Sequence, residues 1–492
     1  MTQFNWAIDG SIVGLYLLAT MIAGVAVRKY VGKVEDFLVA GREMNVYLGI
    51  ASLAATEFGI VTCMYTAQNG YNYGFAGATP GLLNAAAMFI VGYTGFCIKP
   101  LRDSGVMTIP ELLEQRFGTF VRWLSGVVIV LGGLLNMGVF LRVGGEFLVV
   151  TCGLNPGNLE ITMTVLLVGV AAYTIMGGML SVLITDFLQF VVMSIGLLAV
   201  TVLVLIEVGW DRLVGAVTDK IGPGGFNPFI NAELGWDFIL FNLFLTTAAT
   251  LTWQTSIARV LAAKDTKTGR QVYTRTSFFF VCRFLIPGIW GIAALATLTP
   301  AMFAGLSPAM QETPSLYAMP LFLSTLVPVG LMGVLVAAML AADMSTDSSY
   351  MLTWGGVIYN DIMAPFRKGW SESKGLLWNR CIVALIGVFL LFFGLWYKLE
   401  GDLWTYLTLT GTIYLASISA LLIACCYWKR ANNWGAIAAI AISAAIPLGF
   451  LVLEKVDGAT AKAIGPYTSG IAAYLLSGAA MVIGSLLKPK QT

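Results

Sequence analysis

The sequence predicts an all-α protein that crosses a membrane many times, and three observations carry that prediction. The 492 residues are 58% hydrophobic and only 11% charged, whereas an ordinary soluble domain is roughly 25% charged. Mean hydropathy is +0.83. Apolar runs of about 20 residues recur, the length that crosses a hydrocarbon core of about 30 Å. The runs are continuous, while a transmembrane barrel needs short segments of alternating hydrophobicity.

Thirteen spans are expected, at 7–27, 48–70, 78–98, 124–150, 159–176, 183–208, 237–258, 276–298, 328–358, 379–397, 403–427, 434–453 and 467–486. The ninth is long for one straight crossing, so it tilts or runs past the lipid. Between spans, "KIGPGGFNPF" in connection 209–236 carries turn residues, and glycine and proline there punctuate the chain. Connection 299–327 holds Pro300, Pro308 and Pro314 and is expected to carry a short surface helix. Either connection is a lid or a plain link.

Charge sets the orientation. Of the 28 lysines and arginines, 21 fall in one alternate set of connections and five in the other, with Arg142 and Arg283 inside spans. Short basic loops stay on the cytoplasmic side, so the N-terminus is expected outside and the C-terminus in the cytoplasm. The opening "MTQFNWAIDG" lacks a basic n-region, so the first span is expected to be permanent. A net charge of +2 spread over loops argues against nucleic-acid binding. The seven cysteines show no metal-ligand spacing and lie in or beside apolar runs, which argues against a disulfide framework. Histidine is absent, and with it the commonest metal ligand and proton carrier.

Two spans are interrupted by polar residues. In the second, "SLAATEFGIVTCMYT" puts Glu57 at mid-membrane depth with Gly59 and Thr62 nearby; in the seventh, "FLTTAATLTWQTS" is threonine-rich and ends near Gln254. Transporters built from two inverted repeats carry broken helices at matching places, with the binding site at the breaks. Interruptions five spans apart fit that plan. Polar residues also serve simply to join helices, and that reading stands beside it.

The ninth span contains "AADMSTDSSYML", residues 341–352. On a helix Ser345, Ser348 and Ser349 share one face. Asp343 and Asp347 form their own pair about 160° away. A carboxylate at the bilayer centre costs at least about 2.5 kcal/mol, so such groups face partners, cavities or ions. Clustered hydroxyls supply hard oxygen ligands suited to an alkali cation. The plainer alternative has each hydroxyl bonding back to the preceding turn.

Four stretches together resemble the sodium/solute symporter family. "AADMSTDSSYML" resembles its sodium-binding helix, and "SLAATEFG" (52–59) its first, unwound core helix. "YTIMGGMLSVLITDFLQ" (173–189) resembles its GG…TD..Q stretch, and "TIPELLEQRFG" (108–118) its cytoplasmic T.PE...RFG segment. The resemblance implies a LeuT-like fold: ten core helices in two inverted five-helix repeats, with one helix before and two after. It divides the chain into 1–47, the repeats 48–208 and 209–427, and two final helices in 428–492. It further implies a sodium site made by the carbonyls of Ala55, Phe58 and Ala342 with the hydroxyls of Ser345 and Thr346. A second sodium, present in some members, would use Asp186, Ser348 and Ser349. The alternative for Asp186 is a capping or interfacial carboxylate. Asp343 and Asp347 depart from the family pattern, which has small or apolar residues there.

The substrate end is less defined. Glu57 stands at the unwound stretch. Arg142 either pairs with Glu146 one turn on or takes a substrate carboxylate, and Thr62, Gln68, Phe75, Thr79 and Gln254 are candidate cavity neighbours. Ala249 falls where sugar-carrying relatives are expected to have an aromatic residue. The expectation is a sodium-coupled symporter of the cytoplasmic membrane, acting as a single chain. It imports a small polar solute, an amino acid or organic acid rather than a sugar, with one sodium or two. A proton-coupled symporter, an intramembrane aspartyl enzyme and an uncoupled channel or sensor are the alternatives.

Overall fold

The computed structural model describes residues 4–366, 368–397 and 402–488. Arg367, Lys398 and Lys490, which entered the charge tally, lie outside them. Among the described residues the chain is helical with no strand, and one backbone bridge pairs Met44 with Ala263. Among the described residues ten helical stretches are long and apolar enough to cross a membrane. Each of the thirteen expected spans nevertheless has a helical counterpart. The second and seventh are cut into shorter helices, and the fifth and sixth run on as one stretch.

The second span consists of Val46–Glu57 and Ile60–Tyr73. Between them Phe58 leaves helical geometry at φ −112°, ψ 47°, and Gly59 is extended at φ −68°, ψ 168°. A side chain at Gly59 has no room, since a Cβ there would lie 2.6 Å from Thr346 Oγ1 on the ninth span. The seventh span consists of Gly235–Thr252 and Gln254–Ala262, parted at Trp253, whose ψ is 116°. Each break frees backbone groups from intrahelical bonding. The two broken spans are also tied together beyond their ends. Met44 N–H donates to Ala262 O at 3.1 Å, and Lys264 N–H donates to Met44 O at 3.1 Å.

Stretch Leu159–Glu207 has 49 residues, which as a straight helix would be about 74 Å long, far more than a bilayer core. It turns at Gly178, where φ is 53° and ψ −148°. Only glycine adopts this conformation readily, and Phe37 crowds the space a Cβ would fill, at 2.6 Å. Tyr173 before the turn and Ser181 after it both lie against Gly24 of the first span. The stretch is therefore two spans.

The ninth span, Leu331–Val357, continues into one π-helical turn, Ile358–Ile362. It buries 89% of its apolar window, against 22% for the first span. It is the central helix, and its polar residues are hidden from lipid. The connections hold more helix than expected. Part of 209–236 forms a helix, Trp210–Lys220, because Leu213 and Val217 give it a buried edge. In 299–327 the expected short surface helix is present as Pro300–Phe303, which buries no residue, and a longer helix, Pro314–Leu326, packs inward with Leu316 through Pro320 buried.

Candidate functional site

The break of the second span meets the ninth span along a seam of oxygen atoms. Thr346 donates its hydroxyl to Thr56 O at 2.7 Å and to Ala342 O at 3.0 Å. Thr56 Oγ1 stands 3.4 Å from Ser345 Oγ and 2.9 Å from Ser349 Oγ. Ala55 O accepts from Phe58 N–H at 3.2 Å, in the last turn before the break. Carbonyls freed at a helix break, beside hydroxyls and away from water, are the donor set that holds sodium in broken-helix transporters. The residues present fit such an ion: the donors are all oxygen, and they come from two helices that would have to separate to release it.

Below this seam lies a second polar cluster. Asp186 is fully buried and accepts from Ser52 at 2.5 Å and from Ser345 at 2.6 Å. Its main partner is Arg259, which has 0% exposure and donates to Asp186 Oδ2 at 3.1 Å. The same guanidinium donates to Thr56 and Ser349 at 2.6 Å each, to Ser52 at 3.0 Å and to Thr255 O at 3.1 Å. Ser348 instead turns back to Ser345 O at 3.2 Å. In sequence Arg259 falls among the inner-side loop charges; in the structure it belongs to the buried half-helix Gln254–Ala262 after the seventh-span break. Its signal was the carboxylate of Asp186, which needs a cation at that depth.

The third feature is a cavity of about 900 Å³, counting its open mouth, lined by residues of seven spans. Glu57 lines it and accepts from Thr255 at 2.9 Å and Ser256 at 3.0 Å, so the two helix breaks meet at this carboxylate. Arg283 of the eighth span, Thr266–Thr297, pairs with Glu57 Oε2 at 3.2 Å and donates to Thr62 at 3.3 Å and Tyr65 at 2.9 Å. Asp343 also lines the cavity, is 2% exposed, and leaves Oδ2 without a hydrogen-bond partner. Arg283 Nε and the indole N–H groups of Trp253 and Trp404 are likewise unpartnered. Buried polar groups are normally satisfied, so these four atoms stand out.

Of the residues expected at the substrate end, Glu57 and Thr62 line this cavity, as does Ala249. Arg142 pairs with Glu146 at 3.3 Å and caps the tenth span, Glu372–Trp396, through Gly394 O at 2.8 Å and Leu395 O at 3.0 Å. Glu146 in turn accepts from Tyr317 at 2.7 Å. Gln68 donates to Ser315 at 3.1 Å and accepts from Leu403 N–H at 3.3 Å, joining the second span to helix Pro314–Leu326 and to the eleventh span. Thr79 bonds Ala76 O at 2.7 Å at a helix start, and Phe75 packs on Trp210 and Phe226. Gln254 reaches Thr252 O at 3.4 Å and lines a smaller neighbouring pocket. In sequence Arg283 is only a charge inside a span; its proximity to Glu57 is a long-range contact that no local pattern encodes. Asp347 is 2% exposed with Oδ1 unpartnered, one turn from Asp343.

A latch closes the end of the bundle that carries the basic loops. Arg122, in the first turn of the fourth span, pairs with Asp361 at 2.9 Å and Glu114 at 2.5 Å and donates to Asn360 O at 2.7 Å. Thr108 adds a bond to Asp361 at 2.9 Å. Helix Ile109–Phe117, the fourth span and the end of the ninth are thereby joined.

Comparison with known proteins places this geometry. The pattern of the sodium:solute symporter family matches residues 37–443. A sodium/glucose cotransporter 4 of Mus musculus is 27% identical over 484 residues, covering 91% of this chain and 69% of the relative. A sodium/mannose cotransporter of Bos taurus is 26% identical, covering 98% of this chain and 87% of the relative. Among solved structures, a Na+-coupled sialic acid symporter in a substrate-bound outward-open state superposes with a TM-score of 0.81 at 20% identity, covering 99% of both chains. MhsT in complex with L-phenylalanine gives 0.52 at 13% identity, over 90% of this chain and 98% of the other. The fold is thus LeuT-like, with two five-span repeats, one span before them and two after.

Proposed function

Because the chain belongs to the sodium:solute symporter family, we propose that it imports a small polar organic solute, an amino acid or organic acid rather than a sugar, driven by sodium. The single observation that carries the reading is the oxygen seam joining Thr56 at the helix break to Ala342, Ser345 and Thr346 of the central helix. A sodium ion exchanging water for the Ala55, Phe58 and Ala342 carbonyls and the Ser345 and Thr346 hydroxyls would hold the two helices together. That favours the state with the solute cavity assembled, a population shift that depends on sodium binding one state better than the other. Solute entry then completes the wall, the repeats rock, and the latch around Arg122 opens to release both. One inward charge gains about 2.3 kcal/mol per 100 mV.

We further propose one sodium per cycle. The groups expected for a second ion already meet a resident cation, since Arg259 donates to both Asp186 and Ser349. A second sodium there would face that guanidinium. Against a sugar stands the charged cavity wall, with Ala249 at the position where sugar-carrying relatives are expected to have an aromatic residue. In this proposal the protein works in the cytoplasmic membrane as a single functional chain, N-terminus outside and C-terminus inside. A second reading, proton coupling, draws on the unpartnered Asp347; replacing sodium by choline at fixed pH separates the two. The primary test is sodium-stimulated uptake into proteoliposomes by a Ser345→Ala, Thr346→Ala double variant. Loss of stimulation is expected, and unchanged sodium dependence would remove the assignment.

A further inference from the structure

The cavity wall holds two carboxylates and one guanidinium, and they are not equivalent. Glu57 is engaged by Arg283, Thr255 and Ser256. Asp343 is not: among the described residues no ion pair reaches it, and its Oδ2 has no partner although the residue is 2% exposed. The facing fourth span offers no side chain here, since a Cβ on Gly144 would lie 3.1 Å from Asp343 Oδ2. An unpaired buried charge is retained at high cost unless something binds it.

The surroundings of Asp343 narrow what that partner is. Phe140 and Tyr350 line the same cavity, with their ring centroids 5.1 Å apart, and Trp253 packs on Tyr350 at 5.8 Å. Aromatic faces beside a carboxylate suit an organic cation, which gains from both the charge and the ring quadrupoles. The other unpartnered atoms are all donors: Arg283 Nε and the indoles of Trp253 and Trp404. They call for an acceptor, best an anionic one. A single solute meets both demands when it carries an ammonium group and a carboxylate.

We propose that Asp343 is a specificity-determining residue that binds the ammonium group of an amino-acid-type solute, while Arg283 takes its carboxylate. This rests on the symport reading and narrows it, because it excludes organic acids without an amine and neutral sugars. The assignment differs from a structural role for Asp343, which would leave solute preference unchanged.

The test uses the purified full chain in detergent with a panel of the common L-amino acids, their matched 2-hydroxy acids, and glucose. Thermal stabilisation is read in sodium and in choline. At least one amino acid is expected to stabilise the protein in sodium, with its 2-hydroxy counterpart binding roughly 30-fold or more weakly, as losing a buried charged partner implies. Asp343→Asn should lose affinity for that amino acid by a similar factor while keeping stabilisation by sodium alone, and Asp343→Glu should recover part of the loss. Equal binding of the hydroxy acid, binding of glucose alone, no amino acid binding, or an unaltered profile in Asp343→Asn would overturn the proposal. Should that variant fail to fold, the amine-for-hydroxyl comparison on the unaltered chain decides alone. Absence of any sodium effect on the unaltered chain would instead strike the symport reading itself.

Discussion

Two buried arginines lie near the same helix breaks and have opposite surroundings. Arg259 makes bonds with Ser52, Thr56, Asp186, Thr255 and Ser349, and neither it nor those partners has an unpartnered buried side-chain atom. Arg283 has three partners, keeps Nε free, and faces a cavity where Asp343 and two indoles also lack partners. A satisfied buried network is part of the scaffold. An unsatisfied one bordering a cavity is waiting for a ligand, because desolvated polar atoms are expensive to leave alone. The difference separates structure from recognition within one polar region.

The largest expected effect falls on the closed cluster. Asp186→Ala leaves Arg259 charged and alone, and breaking a buried pair in this way costs about 3–5 kcal/mol. We expect a strongly lowered melting temperature and little folded protein, whatever solute is present. A variant of normal stability would mean that the cluster is not the closed scaffold its bonds describe. On the open side, Arg283→Lys should cost little stability but raise KM for solute at least roughly tenfold, since an ammonium lacks the planar fork of donors. If melting temperature and KM move together instead, Arg283 is scaffold as well and the contrast fails.

Smaller effects sharpen the comparison. Asp361→Asn weakens the latch to Arg122 and should lower uptake several-fold while solute affinity stays near normal, read by parallel transport and binding assays. The smallest is Asp265→Ala, which removes the N-cap of the eighth span, where Thr268 N–H donates to Asp265 at 2.7 Å. A lost cap costs about 1 kcal/mol, and uptake should be unaffected. The Asp265 carboxyl is held below its ordinary value, chiefly by that backbone N–H. A lowered folded value means the cap stabilises above the ordinary carboxylate range and fades as pH falls through the folded value. The variant's stability deficit should therefore shrink in acid.

The sequence made some of this legible and concealed the rest for a physical reason. Span positions followed from apolar runs, and the breaks at Phe58–Gly59 and Trp253 followed from polar residues at membrane depth. Of the expected hydroxyl face, Ser345 and Ser349 lie against Thr56, while Ser348 turns back to Ser345 O. Charges were harder to assign. Arg259 reads as a loop residue because the expected seventh span ends at 258, yet its partner Asp186 lies beyond the turn at Gly178 and meets it deep in the bundle. Arg142 and Arg283 are both charges inside spans, and in sequence only Arg142 has a candidate partner, Glu146, one turn on. One caps a helix end beside Glu146 and the other enters the cavity, and only long-range packing distinguishes them.

The coupling ion is the hinge of the account, and a sodium titration of thermal stability reaches it most directly. The unaltered chain should gain stability saturably with sodium, as binding to the folded state alone requires, with a Hill coefficient near one, while choline has no effect and Thr346→Ala flattens the curve. Equal stabilisation by choline, or an undiminished sodium response in Thr346→Ala, would contradict it.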